Sequence, residues 1–163
     1  MWLSAEDIPV KAIMKAARRS DLISVIQKLY AEIDSRIAEQ KATCRACGKC
    51  CHFANFEHRL YVTALEAVYY LAQGNSPPSV AADTCPHLID GKCDARVRRP
   101  FACRIFYCDP EHHDWQGPLS EEYNARLRTL HTEFNIPYIY TDWMILLRAL
   151  SPNQQKPNKD RLK

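Results

Sequence analysis

Residues 44–51 read Cys-Arg-Ala-Cys-Gly-Lys-Cys-Cys, which places four of the chain's eight cysteines in one short stretch. A two-residue gap lets neighbouring thiolates turn toward one metal, because the backbone between them curls and presents its N–H groups to the sulfurs. Three cysteines at this spacing favour a polynuclear site over a single zinc ion, which more often takes a pair from each of two separate knuckles. Adjacent side chains point apart, so we expect Cys50 and Cys51 to serve different metals, or one of them to bridge or remain a spare.

The other four cysteines, Cys85, Cys93, Cys103 and Cys108, follow at irregular gaps of seven, nine and four residues. Such gaps do not fit a zinc ribbon and suit ligands that loops bring to a site half made by the first set. The predicted ligand pool is the full set: Cys44, Cys47, Cys50, Cys51, Cys85, Cys93, Cys103 and Cys108. Eight thiolates could form two four-ligand centres, or one centre with spares, and the count alone does not decide.

Two arginines near the second set are predicted to bind the cofactor. Thiolates brought close together repel, and the guanidinium groups of Arg99 and Arg104 would offset that charge and raise the reduction potential of a cluster. The cofactor itself is expected to be an iron–sulfur cluster, of the 4Fe–4S type, or Zn²⁺.

Four histidines are open in role. His52 and His87 lie close to cysteines, and either could replace a thiolate, although with eight cysteines present we expect them around the ligands or at the surface. His112 and His113 stand among acidic residues that also suit zinc or iron, and the plainer interpretation is a solvated loop.

The cysteine region resembles a known family. The sequence follows the pattern Cys-x-x-Cys-x-x-Cys-Cys, a Thr-x-x-Glu helix start, Cys-Pro-x-Leu, Gly-x-Cys and Arg-Pro-x-x-Cys-Arg-x-Phe-x-Cys over residues 44–109. It resembles the cysteine-cluster (CxxCxxCC) family of zinc- or iron-chelating domain proteins. The resemblance implies metal chelation and leaves the metal open. Flagellin lysine methylases carry a similar array, but no glycine-rich strand-to-helix turn for a methyl donor is present.

Helices are predicted on the N-terminal side of the cysteines. Asp7 is expected to cap a first helix, with Pro9 in its opening turn. Ser20 is expected to cap a second helix. The apolar faces are predicted as Ile8, Ile13, Met14 and Ala17 in the first helix and Leu22, Ile26, Leu29, Ile33 and Ile37 in the second.

Further helices are predicted between and after the two cysteine sets. Thr63 and Glu66 form a capping box for a helix over residues 64–73, which Gly74 ends. Ser120 opens another helix, residues 136–140 are extended, and Asp142 caps a last helix through Leu150. The predicted apolar stripe of the Ser120 helix is Tyr123, Leu127, Leu130 and Phe134.

The predicted fold is mainly α, with helices packed around a loop-rich, metal-organised cysteine segment and little or no sheet. One domain is expected over residues 1–150, with N-terminal helices in 1–43, the metal-binding region in 44–109 and C-terminal helices in 119–150. Residues 151–163 are expected to be a disordered tail.

Charge and hydropathy exclude some partners. Twenty-two basic and 19 acidic residues leave a net charge of +3, which is too small and too mixed to predict nucleic-acid binding. No apolar run approaches the roughly 20 residues that cross a bilayer, and no secretion signal is visible, so we expect no membrane partner and a cytoplasmic location. Clustered cysteines there more often bind metal than form disulfides.

These observations lead to one main functional hypothesis and two alternatives. The main one is an iron–sulfur protein in electron transfer or redox sensing, with metal ions and a protein redox partner as its partners. The alternatives are a zinc-binding structural or interaction module and a metal storage or delivery protein. An oxidoreductase activity is compatible with the first hypothesis, but no catalytic motif is present.

Overall fold

The protein is described by a computed structural model over residues 3–72, 74, 76–80 and 83–152. The described residues are mainly helical with two small antiparallel sheets, which confirms the predicted fold class. The helices are α1 (Val10–Ala16), α2 (Ser20–Glu39), α3 (Ala64–Leu71), α4 (Phe101–Ile105), α5 (His113–Glu133) and α6 (Trp143–Leu150). The strands are β1 (Tyr61–Thr63), β2 (Leu88–Ile89), β3 (Lys92–Cys93) and β4 (Tyr140–Asp142), and short 3₁₀ turns cover Ala5–Asp7, Lys49–Cys51 and Pro110–His112.

Helix α2 is the long helix that the apolar spacing predicts. Its predicted stripe is buried, and Tyr30 joins it with only 2% of its surface exposed. The helix begins at Ser20 rather than after it, because Arg19 holds the extended N-cap position. The buried face of α2 packs against α3 and α4, so it supports the elements that flank the cysteines.

The prediction for the first helix is wrong in two respects. Asp7 closes the preceding 3₁₀ turn, where its Oδ2 accepts hydrogen bonds from the backbone N–H and hydroxyl of Ser4 at 2.8 Å. Helix α1 instead starts after Pro9. Met14 is 46% exposed, whereas Ile13 and Ala16 are buried, since residues three apart share one face of a helix.

The capping box that starts α3 is confirmed. The Glu66 backbone N–H donates to Thr63 Oγ1 at 3.4 Å, and the Thr63 N–H donates to Glu66 Oε2 at 2.6 Å. The other oxygen of Glu66 accepts the backbone N–H of Phe101 at 2.9 Å. One buried carboxyl group therefore joins the start of α3 to the start of α4. Helix α3 ends at Leu71, and Gln73 lies outside the described residues.

A small sheet closes the core on the side of the last helix. Strands β1 and β4 pair antiparallel, with Val62 opposite Thr141. The predicted extended segment at 136–140 therefore lies later, at Tyr140–Asp142. Asp142 caps α6 as predicted, because its Oδ1 accepts the N–H groups of Met144 and Ile145 at 2.8 and 3.4 Å.

Helix α5 begins at His113, before the Ser120 start that the sequence predicts. Pro118 lies inside the helix, although proline usually marks a helix boundary. The C-terminal helical region therefore starts earlier than residue 119, and His113 is helical rather than part of a loop. Within the predicted stripe Tyr123 and Leu127 are buried, while Leu130 and Phe134 are half-buried.

The tail and the membrane prediction concern the chain outside the core. Of the predicted disordered tail, residues 153–163 lie outside the described residues, while Ser151 is buried beside α6. None of the described helices has the length and apolar character needed to span a bilayer.

Candidate metal centre

The first cysteine loop is held on the β2–β3 hairpin by Gly48. This glycine has a φ of +72°, a backbone angle that residues with a Cβ rarely adopt. A Cβ built at Gly48 would lie 2.7 Å from Leu88 Cδ1 and 3.3 Å from the carbonyl oxygen of Gly91. The missing side chain therefore allows the loop to approach the hairpin closely.

The hairpin itself is made by a two-residue turn. Asp90 and Gly91 both have positive φ angles, 48° and 75°, as a type I′ turn requires. Leu88 pairs with Cys93 across the two strands. The turn thus sets Cys93 on β3 behind the loop that carries the first cysteines.

Backbone hydrogen bonds join the first cysteine loop to the start of the second set. The N–H of Cys85 donates to the carbonyl oxygen of Cys51 at 2.8 Å. An isolated bridge pairs His52 with Thr84, and the N–H of Phe53 donates to the carbonyl oxygen of Asp83 at 3.1 Å. Two cysteines that are far apart in the sequence are in this way fixed side by side.

The remaining ligand candidates come from α4 and the chain that follows it. Cys103 lies in α4, whose first turn is held by the Cys103 N–H bond to the Pro100 carbonyl at 3.0 Å and by the Glu66 contact to Phe101. Cys108 follows α4 on an exposed turn. All eight cysteines are free thiols.

The thiols of Cys50, Cys51 and Cys85 form a short chain. The hydrogen bond that Cys50 donates to Cys51 is the main reason that the pKa of Cys50 is strongly raised, with burial adding to it. That same bond lowers the pKa of Cys51, but a hydrogen bond to Cys85, burial and the nearby Cys85 and Cys93 together raise it to about 11. A buried thiol near other thiols resists ionisation because a second negative charge would be repelled.

Cys103 lies in the same neighbourhood. Burial raises its pKa strongly, the positive charge of Arg99 opposes that shift, and Cys51, Cys50 and Cys93 add to it. Burial likewise raises the pKa of Cys93, and Arg99 again opposes the shift. Cys93 and Cys103 of the second set and Cys50 of the first therefore lie near one guanidinium group, that of Arg99.

Cys108 has different neighbours. Burial raises its pKa, and the next causes are the thiols of Cys50, Cys47 and Cys44, while Lys49 opposes the shift. Within the loop, the N–H of Ala46 donates to Cys44 Sγ at 3.4 Å, the kind of N–H to sulfur contact that surrounds thiolate-bound metals. Cys108, the last cysteine of the second set, therefore lies near the cysteines of the first loop.

Of the two predicted arginines, Arg99 keeps a free donor near the thiols. Its buried Nε has no hydrogen-bond partner among the described residues. An unpaired buried donor is costly, so this atom points to a missing acceptor. A thiolate or an inorganic sulfide would be such an acceptor, which is an argument that the donor set fits a metal centre.

Arg104 is engaged elsewhere. Its Nη1 donates to both carboxylate oxygens of Asp34 at 2.9 and 2.8 Å, its Nε donates to the Arg99 carbonyl at 3.3 Å, and Nη2 donates to the Val97 carbonyl. The guanidinium also lies 4.6 Å from the centre of the Tyr30 ring. All three of its nitrogens therefore donate hydrogen bonds, and Arg104 joins α4 to α2 instead of facing the thiols.

The histidine nearest the second set is also taken. The Nε2 of His87 lies 2.6 Å from the hydroxyl of Tyr70, and its Nδ1 lies 2.7 Å from Asp94 Oδ1. With both nitrogens paired, His87 has no lone pair directed at a metal. The Nδ1 of His52 lies 3.5 Å from the hydroxyl of Thr84.

The second histidine pair is separate from the cysteine loop in its contacts. His112 ends a 3₁₀ turn, and its ring packs against Tyr107 and Trp115 at centroid distances of 6.3 and 6.4 Å. His113 begins α5. These contacts favour a packing role for His112.

His58 is a site residue that the sequence analysis missed. Its Nε2 donates to the carbonyl oxygen of Cys50 at 3.0 Å, and its ring stacks on Phe106 at 6.3 Å with a 10° angle between planes. It also contacts Phe53 edge-on at 5.3 Å. No spacing signal marks His58, because the contacts depend on how residues 53–58 fold back over the loop.

The described residues contain no group of three or more histidine, cysteine, aspartate or glutamate side chains already gathered as a metal site. Comparisons with protein families, curated proteins and solved structures found no match to this chain. The chemistry of the donors and the contacts between them therefore carry the functional argument.

Proposed function

We propose that this chain binds metal through its cysteines as an iron–sulfur protein that acts in electron transfer or redox sensing. The observation that carries the proposal is the meeting of the two cysteine sets. Free thiols from residues 44–51 and from residues 85–108 lie beside one another, joined by the Cys85 to Cys51 backbone bond and by the contact of Gly48 with Leu88. Resemblance to the CxxCxxCC family of zinc- or iron-chelating proteins points in the same direction.

The charges around the thiols support metal binding. Without a metal, the hydrogen bond to Cys51 raises the pKa of Cys50, and the hydrogen bond to Cys85 raises that of Cys51. Burial and mutual repulsion raise the pKa values of Cys50, Cys51, Cys103 and Cys108. A metal cation removes that repulsion and displaces the protons, because the thiolate is the form that binds metal. Metal binding is therefore expected to release protons and to weaken as the pH falls.

An electron-transfer or sensing role is supported by the position of the thiols. Cys44, Cys47, Cys50 and Cys108 are exposed, so a cluster held there would lie at the surface, where a redox partner could approach. The positive charge of Arg99 and the Ala46 N–H to Cys44 contact would both stabilise the reduced, more negative state of a cluster. The proposed partner is a redox protein of the cytoplasm.

The test is elemental analysis of the wild-type protein prepared without oxygen. We expect a brown protein that contains iron and acid-labile sulfide, with visible absorption that is lost on reduction. Replacing Cys47 or Cys103 with serine should abolish the centre that this thiol ligates and so lower the iron content, because each change removes one thiol ligand.

Two other results would overturn the proposal to different degrees. A colourless protein that carries zinc at the same cysteines would remove the redox function and favour a zinc-binding structural module. A wild-type protein that holds no metal after reconstitution with iron and sulfide, or with zinc, would remove the metal-binding function altogether.

A further inference from the structure

The exposure of the cysteines divides them into two groups of four. One group, here called the outer quartet, is exposed, whereas the other, the inner quartet, is buried or half-buried. The outer quartet is Cys44, Cys47, Cys50 and Cys108, and the inner quartet is Cys51, Cys85, Cys93 and Cys103.

Most contacts between thiols fall within one of these two groups, although the thiol of Cys50 also contacts that of Cys51 and lies near that of Cys103. Cys108 has the three outer thiols of the first loop as its neighbours. Cys51 has Cys85 as its hydrogen-bond partner and Cys93 nearby, and Cys103 adjoins both Cys51 and Cys93. Each quartet therefore combines members of both sequence sets.

The local backbone explains how two consecutive cysteines fall into different quartets. Lys49–Cys51 forms a 3₁₀ turn, in which successive side chains point about 120° apart because there are three residues per turn. The carbonyl of Cys51 accepts the Cys85 N–H, which belongs to the inner quartet, whereas the carbonyl of Cys50 accepts His58 Nε2. The two peptide units are thus held by different partners.

We propose that the protein holds two metal centres, an inner one ligated by Cys51, Cys85, Cys93 and Cys103 and an outer one ligated by Cys44, Cys47, Cys50 and Cys108. This proposal rests on the metal-binding function proposed above. The inner centre joins the first loop, the hairpin and α4, so it stabilises the fold. The outer centre is open to solvent, so it is the one that exchanges metal or electrons.

Positive side chains lie near both quartets. Lys49 adjoins Cys108, and Arg99 adjoins Cys93 and Cys103 of the inner quartet as well as Cys50 of the outer one. Four thiolates around one metal or cluster leave excess negative charge, and a nearby cation offsets it. The free Nε of Arg99 is available to donate to a sulfur of the inner centre.

The test compares serine substitutions at the two consecutive cysteines. Cys50→Ser and Cys51→Ser are chemically identical changes at adjacent positions, so each is the control for the other. Protein reconstituted with iron and sulfide, or with zinc, is analysed for metal per chain. It is then treated with iodoacetamide, and mass spectrometry identifies the alkylated cysteines.

In the wild type we expect all eight cysteines to be protected. Cys50→Ser should keep half of the metal and expose Cys44, Cys47 and Cys108 to alkylation while the inner quartet stays protected. Cys51→Ser should expose the inner quartet. Because that loss can unfold the segment, Cys108→Ser serves as a second outer variant that should match Cys50→Ser.

The possible failures are distinct. If the wild type binds metal but Cys50→Ser and Cys108→Ser both lose all of it, the two-centre assignment is overturned and metal binding stands. The same holds if both variants lose none. Wild-type protein that takes up no iron or zinc, with every cysteine alkylated, overturns metal binding itself.

Discussion

Replacing Gly48 with alanine tests whether the cysteine loop packs on the hairpin. Two costs add at this position. The φ of +72° disfavours any residue with a Cβ, at about 1 kcal/mol after the gain from a less flexible unfolded chain. The new methyl group would also lie 2.7 Å from Leu88 Cδ1, so the end of the half-buried Leu88 side chain must shift, at a cost of about 1 kcal/mol.

The chain offers a matched control in Gly91. Its φ is +75°, but a Cβ there would meet nothing within 4 Å. Gly91→Ala should therefore cost only the conformational part, about 1 kcal/mol. The expected difference between the two variants, about 1 kcal/mol, measures the contact between the loop and the hairpin.

The assay is urea unfolding of each variant, followed by tryptophan fluorescence. Gly48→Ala should lose metal more readily than Gly91→Ala, because the loop that carries Cys44 to Cys51 is displaced. In a Leu88→Ala background, the extra cost of Gly48→Ala should fall, because only the 3.3 Å contact with the Gly91 carbonyl oxygen remains. Equal losses for Gly48→Ala and Gly91→Ala would refute the packing argument.

Three further predictions concern the frame that positions α4. Thr63→Ala should cost about 1–2 kcal/mol because the N–H of Glu66 loses its acceptor, whereas Thr63→Ser should keep most of the stability in urea unfolding. Burial raises the pKa of Glu66 from 4.5 to about 7, so its stabilising contribution is full below pH 4.5 and is lost, by roughly 3 kcal/mol, as the pH rises through 7. Glu66→Gln should remove that slope, and a difference in unfolding free energy from wild type that stays constant from pH 5 to 8 would contradict it. Arg104→Met should cost about 2–4 kcal/mol through lost carbonyl and aromatic contacts, whereas Asp34→Asn should cost less than about 1 kcal/mol because that carboxylate is 53% exposed; similar losses by chemical denaturation would argue against this division.

Most of the helical frame could be predicted from local sequence. The apolar stripe of α2, the capping box at Thr63 and the cap at Asp142 each depend on residues within one or two turns. The start of α5 was missed because Pro118 and Gly117 are poor helix formers, yet the helix continues through them. The hairpin was missed although Asp90-Gly91 is a strong turn signal.

The candidate site was less predictable than the helices. The sequence identifies the eight cysteines as one pool and predicts that Cys50 and Cys51 point apart, whereas their thiols are neighbours in the structure. It does not show which thiols are neighbours. Cys108 lies near the first loop, although α3, the hairpin and α4 come between them in the sequence. The sequence also predicts the same role for Arg99 and Arg104. Only their tertiary contacts show that Arg99 lies near the thiols and that Arg104 binds Asp34.

The sequence by itself determined where α2, α3 and α6 begin, which face α2 buries and where thiols are concentrated, because these properties depend on periodicity and on neighbours along the chain. Tertiary structure alone decided that Asp34 accepts hydrogen bonds from Arg104, that Gly48 packs against Leu88, and that exposed and buried cysteines form separate groups. The physical reason is that these contacts join segments distant in sequence. Their geometry depends on how the helices and the hairpin pack, which no local pattern contains.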